Sequence, residues 1–319
     1  MKIIYNKIFL EHDTESHPEN RKRLEAFKNL RQTKVESAEK YLKLVHKKEY
    51  IEKVKKMSGK ERFLDIDTVL SEKSFKVACY AAGAAILASK SGGFALVRPP
   101  GHHAGIEKGQ GFCLFNNIAV AVQKLAKKNK RIFILDFDGH FGNGTAEIFY
   151  DTDKVLYTSL HQEDEYPYGL GKIEDIGRGK GRGYKINIPL LAESGDDLFL
   201  SSVEYFISIA KQFKPDVVGV SAGFDSCHSD PLLRLNFSVN SYYQVGKLLS
   251  QNFSNIFAVL EGGYNLDYLP KCVYNFIAGV NKEKIRFKEK TTESSLLTKK
   301  NYDNTLKNLS KILSPFWKV

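Results

Sequence analysis

The sequence is poor in cysteine. It has four, Cys79, Cys113, Cys227 and Cys272, far apart and without any Cys-x-x-Cys. That spacing argues against a disulfide framework and a structural zinc knuckle, and it fits a reducing compartment. Long apolar runs are also missing. The longest small-apolar stretch, "YAAGAAILA" from Tyr80 to Ala88, is far too short to span a bilayer. The opening "MKIIYNKIFLEHD" holds too brief an apolar run for a signal peptide, and acids follow at once. The expectation is a soluble cytoplasmic protein with no membrane partner. No internal repeat or low-complexity linker stands out, and nothing points to wholesale disorder.

What is present suits a globular core: 42% of the residues are hydrophobic, and 319 residues are compatible with one large α/β domain. The formal net charge is +11, from 48 basic and 37 acidic side chains. Such a balance permits contact with nucleic acid or an anionic membrane without demonstrating either. Much of the excess is lysine on expected helical surfaces (Lys43, Lys47, Lys48, Lys53, Lys55, Lys56) and in the tail beyond Lys282, where a solvated charged face is the simpler reading.

The periodicity alternates. "VESAEKYLKLVHKKEYIEKVKKM" (Val35 to Met57) has apolar residues at helical spacing, and "SFKVACYAAGAAILASK" (Ser74 to Lys90) reads as a buried helix ended by Gly92 and Gly93. "FALVRPP" is a short strand entering a loop, and "NNIAVAVQKLAKKN" an amphipathic helix. "RIFILDFD", "KVLYTSLH" and "YKINIPL" are strands, and "DDLFLSSVEYFISIAKQF" is a helix. "DVVGVSAGFD" and "NIFAVLEGGYN" are strands leading into loops. This rhythm predicts an α/β fold, a single domain with a central parallel sheet flanked by helices on both faces. Polar and glycine-rich residues collect where strands end: Arg98 to His103, Asp136 to His140, Asp225, and Gly262 to Tyr264. Ligands bind outside the carboxyl ends of strands in open α/β sheets, so these segments are expected to meet at one cavity. Residues 1–280 form the expected catalytic domain. Residues 281–319 form a basic extension whose last part docks on it as a helix through Leu306, Leu309, Leu313 and Trp317.

Asp136, Asp138 and His140 are spaced by two in "LDFDGHFGNGT" and share one side if the strand persists. Carboxylate and imidazole suit a borderline divalent cation. Without a cation or hydrogen-bond partners, such a group would be costly to bury. A further ligand must come from elsewhere. Asp225 at a strand end is one choice. Asp230, His228 and Cys227 compete with it, and Asp230 also reads as an Asp-Pro turn. Tyr264, behind two glycines in "EGGYN", can reach a polarised oxygen or simply pack in a turn. In "RPPGHHAGIEKGQGFCLFNN" the adjacent His102 and His103 can both face one cavity if the loop is tight. One of them is a candidate base for a metal-activated water, with Asp136 and Asn143 as candidate partners for the other ring nitrogens.

"RPPGHHA", "GFCLFNN", "DFDGHFGNGT", "SAGFD" with the following "DPL", and "LEGGYN" occur in this order. Together the segments resemble the arginase-deacetylase fold, and specifically the zinc-dependent histone deacetylase and acetylpolyamine amidohydrolase superfamily in its class II-like bacterial and archaeal branch. Weaker matches lie in "HPENRKRL", "VHKKEYIEKV" and "DIDTVLSEKSF". The resemblance implies zinc, or Fe²⁺ with the same ligands, on Asp138, His140 and Asp225. It implies His103 as general base, His102 as its charge-stabilising partner, Asp136 and Asn143 behind the pair, and Tyr264 polarising the acetyl carbonyl. Gly111, Phe112, Tyr166 and Leu232 would line the acyl-lysine channel. Asp136, Asp138, His140, Ser159 and Leu160 would hold a structural K⁺ or Na⁺.

Two positions depart from the family pattern. Phe141 stands where a second His is usual, and Cys227 where relatives often carry His. The implied reaction is hydrolysis of the acetyl amide of N-acetyl-lysine in proteins, with an acetylpolyamine or other small acylamine as the alternative substrate. Glu163, Asp164 and Glu165 would supply an acidic rim, or form an ordinary acidic loop. An arginase-like ureohydrolase would need a second metal site, which the sequence does not offer. A non-catalytic nucleic-acid-associated protein is the remaining alternative.

Overall fold

Runs apolar at every position demand cover on both faces, and the sheet shows it. In the computed structural model, which describes residues 1–60 and 62–319, all residues of β3 (Ile132–Asp136), β4 (Val155–Gln162) and β7 (Ile256–Leu260) are buried. With β1 (Ile3–Ile4), β2 (Phe94–Ala95), β5 (Lys185–Leu190) and β6 (Val217–Ala222) they form one seven-stranded sheet in the order β1-β2-β7-β6-β3-β4-β5. Every pairing is parallel. The two-residue β1 escaped the sequence reading because two apolar residues carry no period.

Ten α-helices are present among the described residues: α1 (Lys22–Glu25), α2 (Glu39–Leu42), α3 (Lys48–Met57), α4 (Ser74–Ser91), α5 (Asn117–Ala126), α6 (Asn143–Ile148), α7 (Asp196–Phe213), α8 (Val239–Asn252), α9 (Leu269–Val280) and α10 (Leu296–Leu313). None is long and apolar enough to cross a membrane. α4 and α5 pack on each other and on β2, β7, β3 and β6, while α7 packs on α8 and β4, and α8 on α9.

The helical period read over Val35 to Met57 does not yield one helix. It breaks between α2 and α3 because His46 is drawn inward. Its Nδ1 lies 2.8 Å from the Gly105 carbonyl and its Nε2 accepts from Asn116 N at 3.0 Å. Lys47 N donates to Ile106 O at 3.0 Å. Three hydrogen bonds to a distant loop outweigh the local preference for continuing the helix.

α10 buries Tyr302, Leu309 and Leu313, with Leu306 and Trp317 packed partly buried against the same core. The Tyr302 hydroxyl donates to Ser201 Oγ and accepts from Ser202 Oγ on α7, both at 3.1 Å. Trp317 Nε1 donates to the Gly183 carbonyl at 2.6 Å, just before the edge strand β5. Ser295 caps α10, its Oγ accepting from Thr298 N at 3.1 Å. Ser295→Ala should therefore lower stability by about 1 kcal/mol, read as a shifted urea midpoint at unchanged m.

Candidate metal and hydrolytic site

Four neighbouring strands, β2, β7, β6 and β3, end on the same side of the sheet. The loops that follow them carry His102 and His103, Glu261 to Tyr264, Asp225, and Asp138 to His140. The strand reading of Asp136, Asp138 and His140 needs one correction. β3 ends at Asp136, and the other two lie in a bend. They still converge, because backbone N–H groups hold the carboxylates: His140 N donates to Asp138 Oδ1 at 2.9 Å, Gly262 N to Asp138 Oδ2 at 2.7 Å, and Gly139 N to Asp225 Oδ1 at 2.8 Å.

One ligand atom from each of Asp138, His140 and Asp225 lies within 4.8 Å of the others. His140 Nδ1 is 3.2 Å from Asp138 Oδ1 and 3.0 Å from Asp225 Oδ2. Both carboxylates are fully buried. Two buried carboxylates facing one imidazole nitrogen are a donor set suited to a divalent cation. Neither His228 nor Asp230 joins this group. His228 Nε2 faces Glu289 at 3.3 Å, and Asp230 is spent on backbone N–H groups. Cys227 is buried, with its Sγ 3.5 Å from Ser229 Oγ.

The two histidines of the pair have unlike partners. Their rings sit 4.0 Å apart. His102 Nδ1 lies 3.2 Å from Asp136 Oδ2, and its Nε2 is 3.6 Å from Asp138 Oδ1. Burial opposes its charge, yet Asp138 and Asp136 prevail and raise its pKa to about 10. His103 Nδ1 instead meets the neutral Asn143 Oδ1 at 2.8 Å. Burial and the charges of His102 and His140 hold His103 well below the usual histidine value. Neighbouring groups whose environments push their pKa values apart are equipped for different roles. Asp136 also accepts from the Tyr157 hydroxyl at 3.0 Å.

Of the expected channel residues, Tyr166 and Gly111 adjoin His103, and Phe112 adjoins Tyr264. Tyr166 stands edge-on to His103 at 5.0 Å, and Phe112 edge-on to Tyr264 at 5.9 Å. Gly111 is fixed by sterics: its φ is +54°, and a Cβ there would lie 2.6 Å from His103 Cδ2 and 2.8 Å from Tyr166 Cε1. Leu232 is 37% exposed, on the turn after Asp230. The register pairs Ser159 with Asp136 across β3 and β4, while Ser159 Oγ contacts His161 Nδ1 at 2.9 Å. Leu160 is buried in the same strand.

Phe141 packs 5.0 Å from the His161 ring. It borders a separate cavity of about 280 Å³, also lined by Glu163, Asp164 and Glu165.

A buried ion cluster beneath Tyr264 was not foreseen. Glu19 accepts from Arg98 Nε, from Arg98 NH2 at 2.9 Å and from Arg23 NH1 at 3.2 Å, with all three residues at most 1% exposed. Arg23 also donates to the carbonyls of Gly263 (2.7 Å) and Glu261 (2.6 Å), and its guanidinium carbon lies 4.9 Å from the Tyr264 ring centre. The Glu261 carboxylate accepts from Gly101 N (2.7 Å), His102 N (3.1 Å) and Ser221 Oγ (3.3 Å). It thereby ties the tyrosine loop to the histidine loop. The signal was present in "HPENRKRL", where Glu19 and Arg23 are spaced i,i+4, but their partners lie far away in the chain.

The histone deacetylase domain model matches residues 17–280. A probable deacetylase of Archaeoglobus fulgidus is 33% identical, covering 99% of this chain and 98% of the relative. A histone deacetylase-like amidohydrolase of Pseudomonas aeruginosa is 34% identical over 72% of this chain and 64% of its own length. Among solved structures, the HDA15 HD domain superposes with a TM-score of 0.89 at 30% identity, over 99% of this chain and 97% of that one.

Proposed function

The chain belongs to the histone deacetylase family, a family of amide-bond hydrolases, and from that premise we propose that it removes the acetyl group from N-acetyl-lysine in proteins, with zinc on Asp138, His140 and Asp225. The observation that carries this reading is the buried Asp138–His140–Asp225 triad beside two histidines with unlike partners. When bound, zinc supplies Lewis acidity to the acyl oxygen and acidity to water.

The rest falls to the chain itself. His103 has Nδ1 engaged by Asn143, so Nε2 is the nitrogen left to take the proton of the attacking water and return it to the leaving amine. His102, backed by the Asp136 carboxylate, is the cationic partner that offsets developing negative charge. Tyr264 keeps its phenolic proton, because burial pushes its pKa well up, and it donates that proton in a hydrogen bond to the acyl oxygen. Phe112 and Tyr166 hold the acyl-lysine stem between their rings, and the Gly111 backbone carbonyl meets the substrate amide. Asp136, Asp138, His140, Ser159 and Leu160 are proposed to hold K⁺ or Na⁺ behind the zinc.

An acetylpolyamine is the second reading, favoured by acids near Tyr166: burial raises the pKa of its hydroxyl, and the charges of Asp67 and Asp65 add to the rise. The test is side-by-side turnover of an N-acetyl-lysine peptide and an acetylpolyamine by zinc-loaded protein. Preference for the peptide supports the first reading, and preference for the polyamine replaces it. In Tyr264→Phe, kcat should fall about 10²–10³-fold with bound zinc unchanged. A smaller loss would remove Tyr264 from its role.

A further inference from the structure

Tyr264 follows two glycines, and Gly263 has φ +114°, a conformation open to little besides glycine. Such a segment has no stiffness of its own and must be held from outside. The Arg23 guanidinium holds its carbonyls on one side. The N–H groups of Tyr264 and Asn265 both reach another side chain: Asp230 Oδ2, at 2.6 and 3.2 Å.

The two oxygens of Asp230 have separate duties. Oδ1 accepts from Leu232 N at 3.1 Å, which is the Asp-Pro turn read from the sequence. Oδ2 has no part in that turn and crosses to a segment more than thirty residues away. Asn265 completes the junction, its Nδ2 donating to Ser229 O at 2.7 Å. Asp230 is itself buried, so these hydrogen bonds are shielded from water.

We infer that Asp230 is a positioning residue that fixes the backbone of Tyr264, and so aims its hydroxyl, while the same carboxylate holds the turn bearing Leu232. This rests on the proposed role of Tyr264 as hydrogen-bond donor to the acyl oxygen. Asp230 touches no reacting atom. Its contribution is to spare the reaction the entropy of ordering a diglycine loop.

The test has two arms. The first is amide hydrogen exchange of residues 262–265 without substrate, in wild type, Asp230→Ala and Asp230→Asn. The Tyr264 and Asn265 amides should exchange about tenfold faster or more in Asp230→Ala. Asp230→Asn, which retains one acceptor oxygen, should fall between and serves if the alanine variant fails to fold. Unchanged exchange overturns the inference.

The second arm is a double-mutant cycle on turnover. Asp230→Ala should lower kcat by up to about 10²-fold with KM little changed and bound zinc intact. Added to Tyr264→Phe, it should cost no more than about a further twofold. Losses that multiply, or loss of zinc, would show that Asp230 acts elsewhere and overturn the inference. If wild type turns over no acetylated amine, the proposed activity fails, and the exchange arm still decides the role of Asp230.

Discussion

His103→Ala should lower kcat by about 10²–10⁴-fold while leaving the fold and the bound zinc in place. The separation is possible because His103 makes its ring hydrogen bond to Asn143, not to a ligand carboxylate. His102→Ala is the informative contrast. It removes the partner of Asp136 and a neighbour of Asp138, so its loss should include weaker metal retention. Metal content and single-turnover rate, measured on both variants, check the assignment. A His103→Ala protein that retains full turnover would eliminate His103 as the base.

Glu19→Ala should destabilise the protein by about 3–5 kcal/mol, because it strands two buried guanidiniums without their counter-charge. Urea unfolding at neutral pH measures it. The effect has a pH signature. Burial opposes the charge of Glu19, but Arg98 and Arg23 prevail and hold its pKa down at about 2. A carboxylate depressed below its unfolded value stabilises above that value and loses the contribution as pH falls through the folded one. The gap between wild type and variant should thus be full above about pH 5 and narrow toward pH 2. Turnover should fall even where the variant is folded, since Arg23 would no longer be held as it grips the Glu261 and Gly263 carbonyls.

The parts legible in the sequence were those whose evidence is local. The doubly buried strands declare themselves through unbroken apolar runs, and Asp138 and His140 through their spacing. Asp225 stood out only as a strand-end acid among competitors, and the geometry separates it from Asp230 and His228. Contacts between distant segments were not legible. Nothing in "RPPGHHA" says that Arg98 pairs with Glu19, and nothing in "LEGGYN" says that Glu261 receives the N–H groups of Gly101 and His102. The break at His46 has the same origin, a tertiary hydrogen bond overriding a helical period. Asp230 was legible as a turn former, but its second oxygen does the work that matters to Tyr264.

The convergence of four loops from β2, β7, β6 and β3 also bears on how the molecule comes to be. Phe94 pairs with Ala258 and Ile132 with Val217, so the strands that carry the site meet only after long stretches of chain have been closed into loops. Closure entropy is spent before such contacts return anything, which makes this kind of parallel sheet slow to assemble. During synthesis the histidine pair emerges well before Tyr264, and the β7 strand must insert between β2 and β6 to bring the two together. The candidate site is therefore a late product of folding. A nascent or truncated chain lacking β7 holds the proposed base and all three proposed metal ligands, Asp138, His140 and Asp225, without the tyrosine opposite them.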